Sequence, residues 1–215
     1  MNRRDIPDRS RLRRIPDRAS YDREDLHAVL DAAPICHVAF EVDGQPFVIP
    51  TIHARHGDEI VIHGAKASRL IKHAATGAPL AIAVTMLDGL VLARSVFHSS
   101  MNYRSAVVFG TGRLVEDAEE KMACMEAVSE HLMPGRWADA RGPSDKEFNA
   151  TSIVAVSIDE ATVKARTGPP GDDEEDYALP VWAGVVETRT AWGPLTDDPG
   201  RHRDVPVPDY LKGYE

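Results

Sequence analysis

Ile35-Cys36-His37-Val38-Ala39-Phe40-Glu41-Val42-Asp43-Gly44-Gln45-Pro46-Phe47-Val48-Ile49-Pro50-Thr51-Ile52-His53-Ala54 is the stretch whose reading decides the fold. Two apolar runs flank Asp43-Gly44, a dipeptide that tolerates the positive φ angles of a tight hairpin turn. Ile35 to Val42 therefore reads as one strand and Pro46 to Ala54 as its antiparallel return. Pro50 lies inside the return strand and removes a ladder donor, which suits an edge or a bulge with backbone groups free to face a ligand.

Working outward, the hairpins continue. Arg55-His56-Gly57-Asp58 is a turn, and Glu59 to His63 is a third strand. Ser68 to Thr76 has helical spacing and ends at Gly77. Pro79 to Leu87 and Leu90 to Phe97 read as two strands around a second Asp-Gly pair, Asp88-Gly89. Ser105 to Val115 is a further strand, whose Gly110 and Gly112 suggest a bulge or a barrel corner. Glu119 to Leu132 is an amphipathic helix, and Thr151 to Ile158 with Ala161 to Arg166 make the last hairpin. Upstream, Asp22 to Ala33 is a helix with Leu26, Val29 and Leu30 on one face. Hairpins dominate, βαβ alternation is missing, and no GxGxxG follows a strand. The expected fold is mainly β with flanking helices, a closed antiparallel barrel with helices at its openings.

Residues 1–19, rich in Arg, Asp and Pro, read as a mobile or partner-wrapping arm. Residues 20–166 form the barrel domain. From Thr167 the chain becomes an extended segment with an acidic run, Asp172 to Asp176, and an apolar island around Trp182, expected to dock on the barrel or on a partner through residue 186. Residues 187–215 read as a loose tail.

The chain has 215 residues, 43% of them hydrophobic and 27% charged, so an ordinary core is affordable. A net charge of −9 argues against general nucleic-acid binding, which needs a basic surface. Cys36 and Cys124 have no paired spacing and read as buried free thiols, consistent with a reducing, cytoplasmic setting. The N-terminal arginines have no apolar run behind them, so no secretory signal is expected, and no segment has the apolar length of a membrane span.

Two clusters could carry chemistry. In His63-Gly64-Ala65-Lys66-Ala67-Ser68-Arg69 a strand gives way to a helix capped by Ser68. Its free amides, with Lys66 and Arg69, suit a phosphate, and Gly64 lets backbone approach a ligand. The plainer alternative is a capped helix with surface cations. His98-Ser99-Ser100-Met101-Asn102-Tyr103-Arg104-Ser105 packs polar groups between apolar strands, which is costly without pairing or purpose. The alternative there is a polar loop with Tyr103 filling a gap. Nine histidines raise the question of a metal, but HExxH and CxxC are missing and no metal site is expected. GxSxG support for a serine triad is missing too.

At these residues the chain resembles the pyridoxamine 5′-phosphate oxidase-like, FMN-binding split-barrel superfamily, in particular its flavin-nucleotide-binding, nitroimidazole-resistance (Nim-type) branch. The resemblance is carried by Gly44 to Thr51, His63 to Arg69, Asp88 to Ser95, His98 to Ser105, Val107 to Gly110, Arg166 to Pro169 and Pro180 to Gly184, in order over about residues 20–186. It implies an antiparallel split β-barrel and a homodimer with two FMN sites at the subunit interface, FAD being the alternative cofactor. It further implies that Lys66, Ser68 and Arg69 hold the phosphate. Pro50, Thr51 and Ile52 would lie along the isoalloxazine ring, with His63 and Gly64 near the ring or ribityl chain. Asn102, Tyr103, Arg104 and Ser105 would complete the site, from the neighbouring strand or the neighbouring subunit, and Trp182 would cover the flavin from the partner subunit. His63 and Tyr103 are then the candidate catalytic proton donors. The oxidases proper end in an Arg-rich segment that grips pyridoxal phosphate. The tail here shows no counterpart, so a vitamin B6 oxidase is not implied. The resulting expectation is a flavin-dependent oxidoreductase moving hydride from a reduced donor to a small acceptor, such as a nitroaromatic. A non-catalytic flavin carrier or sensing module, or a barrel holding a deazaflavin or haem, are the alternatives.

Overall fold

A computed structural model describes residues 6–200 and 205–214 of the chain. Ten strands and five α-helices follow in the order β1 (Ala19–Ser20), α1 (Arg23–Ala32), β2 (Ile35–Val42), β3 (Gln45–His56), β4 (Glu59–Ala65), α2 (Arg69–Ala74), β5 (Pro79–Leu92), β6 (Ser100–Thr111), β7 (Arg113–Leu114), α3 (Ala118–Leu132), α4 (Arg136–Asp139), α5 (Asp145–Ala150), β8 (Thr151–Ser157), β9 (Ala161–Arg166) and β10 (Gly184–Glu187). Every strand pairing is antiparallel.

The deciding hairpin forms as expected. Asp43 and Gly44 take φ of 53° and 78°, the positive angles that a two-residue turn between twisted strands requires. The ladder runs β1-β9-β6-β5-β2-β3-β4-β8-β7, with β10 added to β5. Because β7 continues β6 past Gly112, the last strand leads back to an earlier one and the path closes into a six-stranded ring. Gly112 is the corner. A Cβ there would lie 2.3 Å from the Ala74 carbonyl oxygen and 2.7 Å from Val154 Cγ1, so the strand can bend against α2 only without a side chain.

The second Asp-Gly pair behaves differently. Asp88-Gly89 is not a turn: β5 runs unbroken from Pro79 to Leu92, with a bulge between Leu87 and Gly89. Asp88 is held by a forked ion pair from Arg104 (2.8 and 3.0 Å) on the neighbouring strand. At Gly89 an added Cβ would lie 2.9 Å from the Val186 carbonyl, so glycine admits β10 alongside. The strand expected to start at Ser105 likewise begins at Ser100. The short helices α4 and α5 fall in a stretch without apolar periodicity.

Alternation explains the core. Cys36, Val38 and Phe40 of β2, Ile82 and Val84 of β5, and Val154 and Val156 of β8 point into the barrel with Leu70 and Ile71 of α2. The opposite face of β4 and β8 (Val61, Ile153, Ala155) packs under Cys124 and Val128 of α3 in a second core. Strand β8 is therefore apolar on both faces, each fully buried aliphatic side chain contributing roughly 1.5–3 kcal/mol. Cys36 and Cys124 are free and buried. Burial pushes their thiols up to about 12 and about 11, respectively, so neither ionises near neutrality. No described helix is long and apolar enough to cross a membrane.

The first five residues lie outside the described part. The remainder of the arm lies on its own barrel: Ile6 and Ser10 are buried, Arg9 and Ser10 reach Glu160, and β1 pairs with β9.

His53 ties α1 to the barrel, its Nε2–H donating to the Leu30 carbonyl at 3.1 Å. Burial, then the nearby His131 ring, pushes its pKa down to about 4. The folded state therefore binds fewer protons here than the unfolded chain, and stability is lost as pH falls from about 6.5 toward 4. The loss should approach about 3 kcal/mol for this one group. Urea unfolding measured from pH 7 to 4 should show it, and His53→Gln should flatten that part of the profile.

Candidate functional site

The barrel opens where β3 changes partner. Gln45–Ile52 pairs with β2, whereas His53–His56 pairs with β4 on the other edge. Strand β4 runs on past the His53–Ile62 pair and joins β8 through His63, Gly64 and Ala65. Between Ile52 and His63 the two strands part, and along Pro46–Ile52 the edge of β3 that faces away from β2 has no ladder partner among the described residues. Pro50, Thr51 and Ile52 form one lip of this seam. His63, Gly64 and the turn Lys66-Ala67-Ser68, leading into Arg69 of α2, form the other.

Local sequence explains the second lip. A Cβ on Gly64 would come 2.9 Å from Ile71 Cγ1, so glycine lets β4 lie against α2. Ser68 precedes α2 in N-cap geometry, yet its hydroxyl makes no capping hydrogen bond and is left for another partner. The Arg69 guanidinium carbon sits 4.4 Å from the Phe47 ring centroid, a cation–π contact reaching over to β3. Among the described residues, neither Lys66 nor Arg69 forms an ion pair. The resemblance grouped Pro50, Thr51, Ile52, His63, Gly64, Lys66, Ser68 and Arg69, and the structure places them on the two lips of one seam.

His63 faces the α3 side, into a cavity of about 450 Å³ floored by Ile52, His63 and Ile153. Met125, Val128 and Leu132 of α3 form its wall, and Trp137 of α4 contributes the roof. Glu130 fixes that roof by accepting hydrogen bonds from the Gly135 and Trp137 amides at 2.7 and 2.9 Å, which hold its carboxyl below the usual range. Tyr210, in the region read as a loose tail, clamps α4 from outside by donating to Asp139 and accepting from Arg136. The His63 Nδ1 is buried without a hydrogen-bond partner, and burial lowers the ring's pKa. A neutral imidazole with an unspent nitrogen in an apolar cavity can ligate a metal or hand on a proton. Arg136 and Arg141 stand at the rim, Arg141 paired with Glu147. The sequence offered little sign of this roof beyond Trp137 in a polar stretch.

The second predicted cluster stands apart. Asn102, Tyr103, Arg104 and Ser105 lie on β6, with Tyr103 opposite Leu87 and Arg166. Pro50 aligns through His37 and Ala83 with Val107, so Tyr103 lies three strands away and four residues further along β6. The Asn102 amide donates to the Gly168 carbonyl and its oxygen accepts from Arg166. Arg104 is committed to Asp88, and Ser105 donates to the Lys164 carbonyl. Trp182 packs over Gly184 and is 66% exposed. One subunit therefore does not bring these five residues to the seam. His98, Asp173 and Asp176 gather nearby, with His98 Nε2 3.2 Å from an Asp173 oxygen.

An antiparallel barrel split between β3 and β4, with a cationic turn at the split, defines the split-barrel class. Residues 22–165 match the sequence profile of the family described as pyridoxamine 5′-phosphate oxidase. The chain belongs to that family. Among solved structures it is similar to the flavocytochrome Anf3 from Azotobacter vinelandii, with 40% identity over 97% of both chains and a TM-score of 0.91. It is also similar to an FAD- and haem-binding protein from Mycobacterium smegmatis, with 39% identity over 92% of this chain and 97% of that one and a TM-score of 0.87. A protein assigned to 5-nitroimidazole antibiotic resistance in Bacteroides thetaiotaomicron shares the fold at 22% identity, over 68% of this chain and 85% of that one, with a TM-score of 0.58. No curated protein sequence matches the chain.

Proposed function

We propose that the protein is a dimeric redox protein that lays a flavin nucleotide along the Pro50–Ile52 lip, its phosphate end at Lys66, Ser68 and Arg69. The observation that carries this reading is the seam: among the described residues, a β edge without a ladder partner faces a turn whose two cations have no acidic partner. The flavin is FMN or FAD, and the similarity to an FAD-binding protein supports the second. A homodimer is supported by the outer sheet face, where Leu90 lies between Met101 and Val186, all three half-exposed. A second copy on that face would let Tyr103 and Trp182 approach the flavin of its neighbour. Two buried free thiols suit the cytoplasm.

A second cofactor is favoured by the His63 cavity. Its apolar walls, unpartnered imidazole nitrogen and rim arginines fit a haem, with His63 as iron ligand and Arg136 or Arg141 toward the propionates. Two similar proteins, a flavocytochrome and an FAD- and haem-binding protein, support this.

Bound flavin would supply electron transfer between a reduced hydride donor and a small acceptor, a nitroaromatic included, and bound haem would supply one-electron chemistry. The chain's own part is to hold and shield. The Pro50–Ile52 edge offers backbone groups to the ring, α4 keeps water from His63, and His63 or Tyr103 delivers a proton when neither is otherwise engaged. Released cofactors identified by mass spectrometry test the reading, and a protein that purifies colourless and gains no thermal stability with FMN or FAD sinks it. Steady-state oxidation of NADH or NADPH with trial acceptors separates an oxidoreductase from a flavin carrier. Arg69→Ala should weaken flavin binding by about 1.5–3 kcal/mol, the loss of one charged hydrogen-bonding partner. Isothermal titration of the apoprotein would measure it.

A further inference from the structure

The roof of the His63 cavity has no core of its own. Floor and wall are fixed, because Ile52, Ile153, Met125 and Val128 pack into the second core. The roof, α4, is a single turn of four residues with no buried side chain, and its N-cap, Gly135, makes no side-chain cap. A helix that short does not hold itself. Pro134-Gly135 precedes it and Gly142-Pro143 follows, so α4 is a flap between two breaks in regular structure.

Two anchors keep the flap down. One is local: Glu130 of α3 accepts from the Gly135 and Trp137 amides and ties the start of the flap to the end of that helix. The other is distant in sequence. The Tyr210 hydroxyl donates to Asp139 Oδ2 at 2.8 Å and accepts from Arg136 Nη1 at 3.0 Å, so it bridges the first and last residues of α4. Its ring lies against the Gly135 backbone, where an added Cβ would come 3.0 Å from Tyr210 Cγ. Tyr210 contributes nothing to the lining of the His63 cavity. Arg136 lines that cavity and also a second one, which Asp139 shares with Leu195, Val207 and Leu211 of the C-terminal segment. The segment therefore grips the partition between the two spaces from its outer side.

We infer that the C-terminal turn Asp209–Tyr214 is a strap, with Tyr210 as its clasp, that sets how fast a ligand reaches and leaves the His63 cavity. This rests on the haem reading above and adds to it the residue that controls access to the site. With the strap down, α4 and Trp137 cover His63. With it lifted, α4 keeps only the Glu130 tether, and the cavity opens on the Arg136 side. A Tyr210 that merely steadied the fold would alter melting and leave the rates alone.

Haem uptake by the apoprotein is followed by stopped-flow Soret absorbance, and haem release by transfer to excess apomyoglobin, for the natural chain, Tyr210→Phe and Tyr210→Ala. Tyr210→Ala should speed uptake and release alike by roughly tenfold, the effect of losing a hydrogen bond to a charged group, with affinity held within about twofold. Tyr210→Phe keeps the ring on Gly135, loses the hydroxyl bonds and should fall between the two. It serves as the comparison should the alanine variant fail to fold. Hydrogen exchange of the apoprotein needs no haem, and the amides of residues 136–140 should exchange faster in both variants. Unchanged rates or unchanged exchange overturn this inference alone. Faster release with unchanged uptake does so as well, because Tyr210 would then hold the haem rather than admit it. A natural chain that takes up no haem overturns the haem reading, and this inference with it.

Discussion

Replacing His63 by alanine should leave the protein without haem while its flavin stays bound. The imidazole is the only nitrogen ligand among the side chains that floor and wall the cavity, and no described residue hydrogen-bonds its Nδ1. Outer partners of a metal-bound histidine are already worth 10–100-fold in affinity, so loss of the ligand itself should cost more than roughly 100-fold. In the proposed arrangement the flavin is held by Lys66, Ser68, Arg69 and the β3 edge, none of which is replaced, while the His63 side chain faces the cavity under α3. Haem is counted as its pyridine complex and flavin by absorbance after release. Added imidazole should restore part of the haem binding by occupying the vacated volume. Unchanged haem content would remove His63 as ligand, and loss of both cofactors would place the flavin ring against His63.

The second large effect concerns the barrel's closure. Gly112→Ala puts a methyl group 2.3 Å from one backbone oxygen and 2.7 Å from a core methyl, and neither is the loose end of a flexible chain. Overpacking costs typically 1–3 kcal/mol, and contact with fixed backbone belongs at or above the top of that range. About 3 kcal/mol corresponds to a fall in Tm of roughly 6–12 °C for a chain of this size. Gly142→Ala is the control: a Cβ there meets nothing within 4 Å, and its Tm should hardly change. Calorimetry of the two variants checks the contrast.

The two Asp-Gly pairs show what sequence could and could not reveal. Asp43-Gly44 and Asp88-Gly89 look alike locally, and only the first makes a turn. What separates them is distant in the chain: Arg104 holds Asp88, and the Val186 backbone comes close to Gly89. Strand alternation and the Lys66–Arg69 turn were legible because each depends on neighbours in sequence. The His63 cavity was not, because its roof is a single short turn, Arg136–Asp139, held by Glu130 and Tyr210 rather than by an apolar pattern. The resemblance placed Tyr103 with the flavin and brought Trp182 to it from the partner subunit; within one subunit Tyr103 lies on β6, between β5 and β9.

The ring formed by β6 and its continuation β7 needs β8 as its last stave, and β8 is among the latest strands to leave the ribosome. Until Thr151–Ser157 emerges, the nascent chain carries a hairpin array whose β4 border is open to any passing strand. A chain cut short before β8 should therefore leave the β4 border unpaired and prone to aggregate rather than make a smaller barrel.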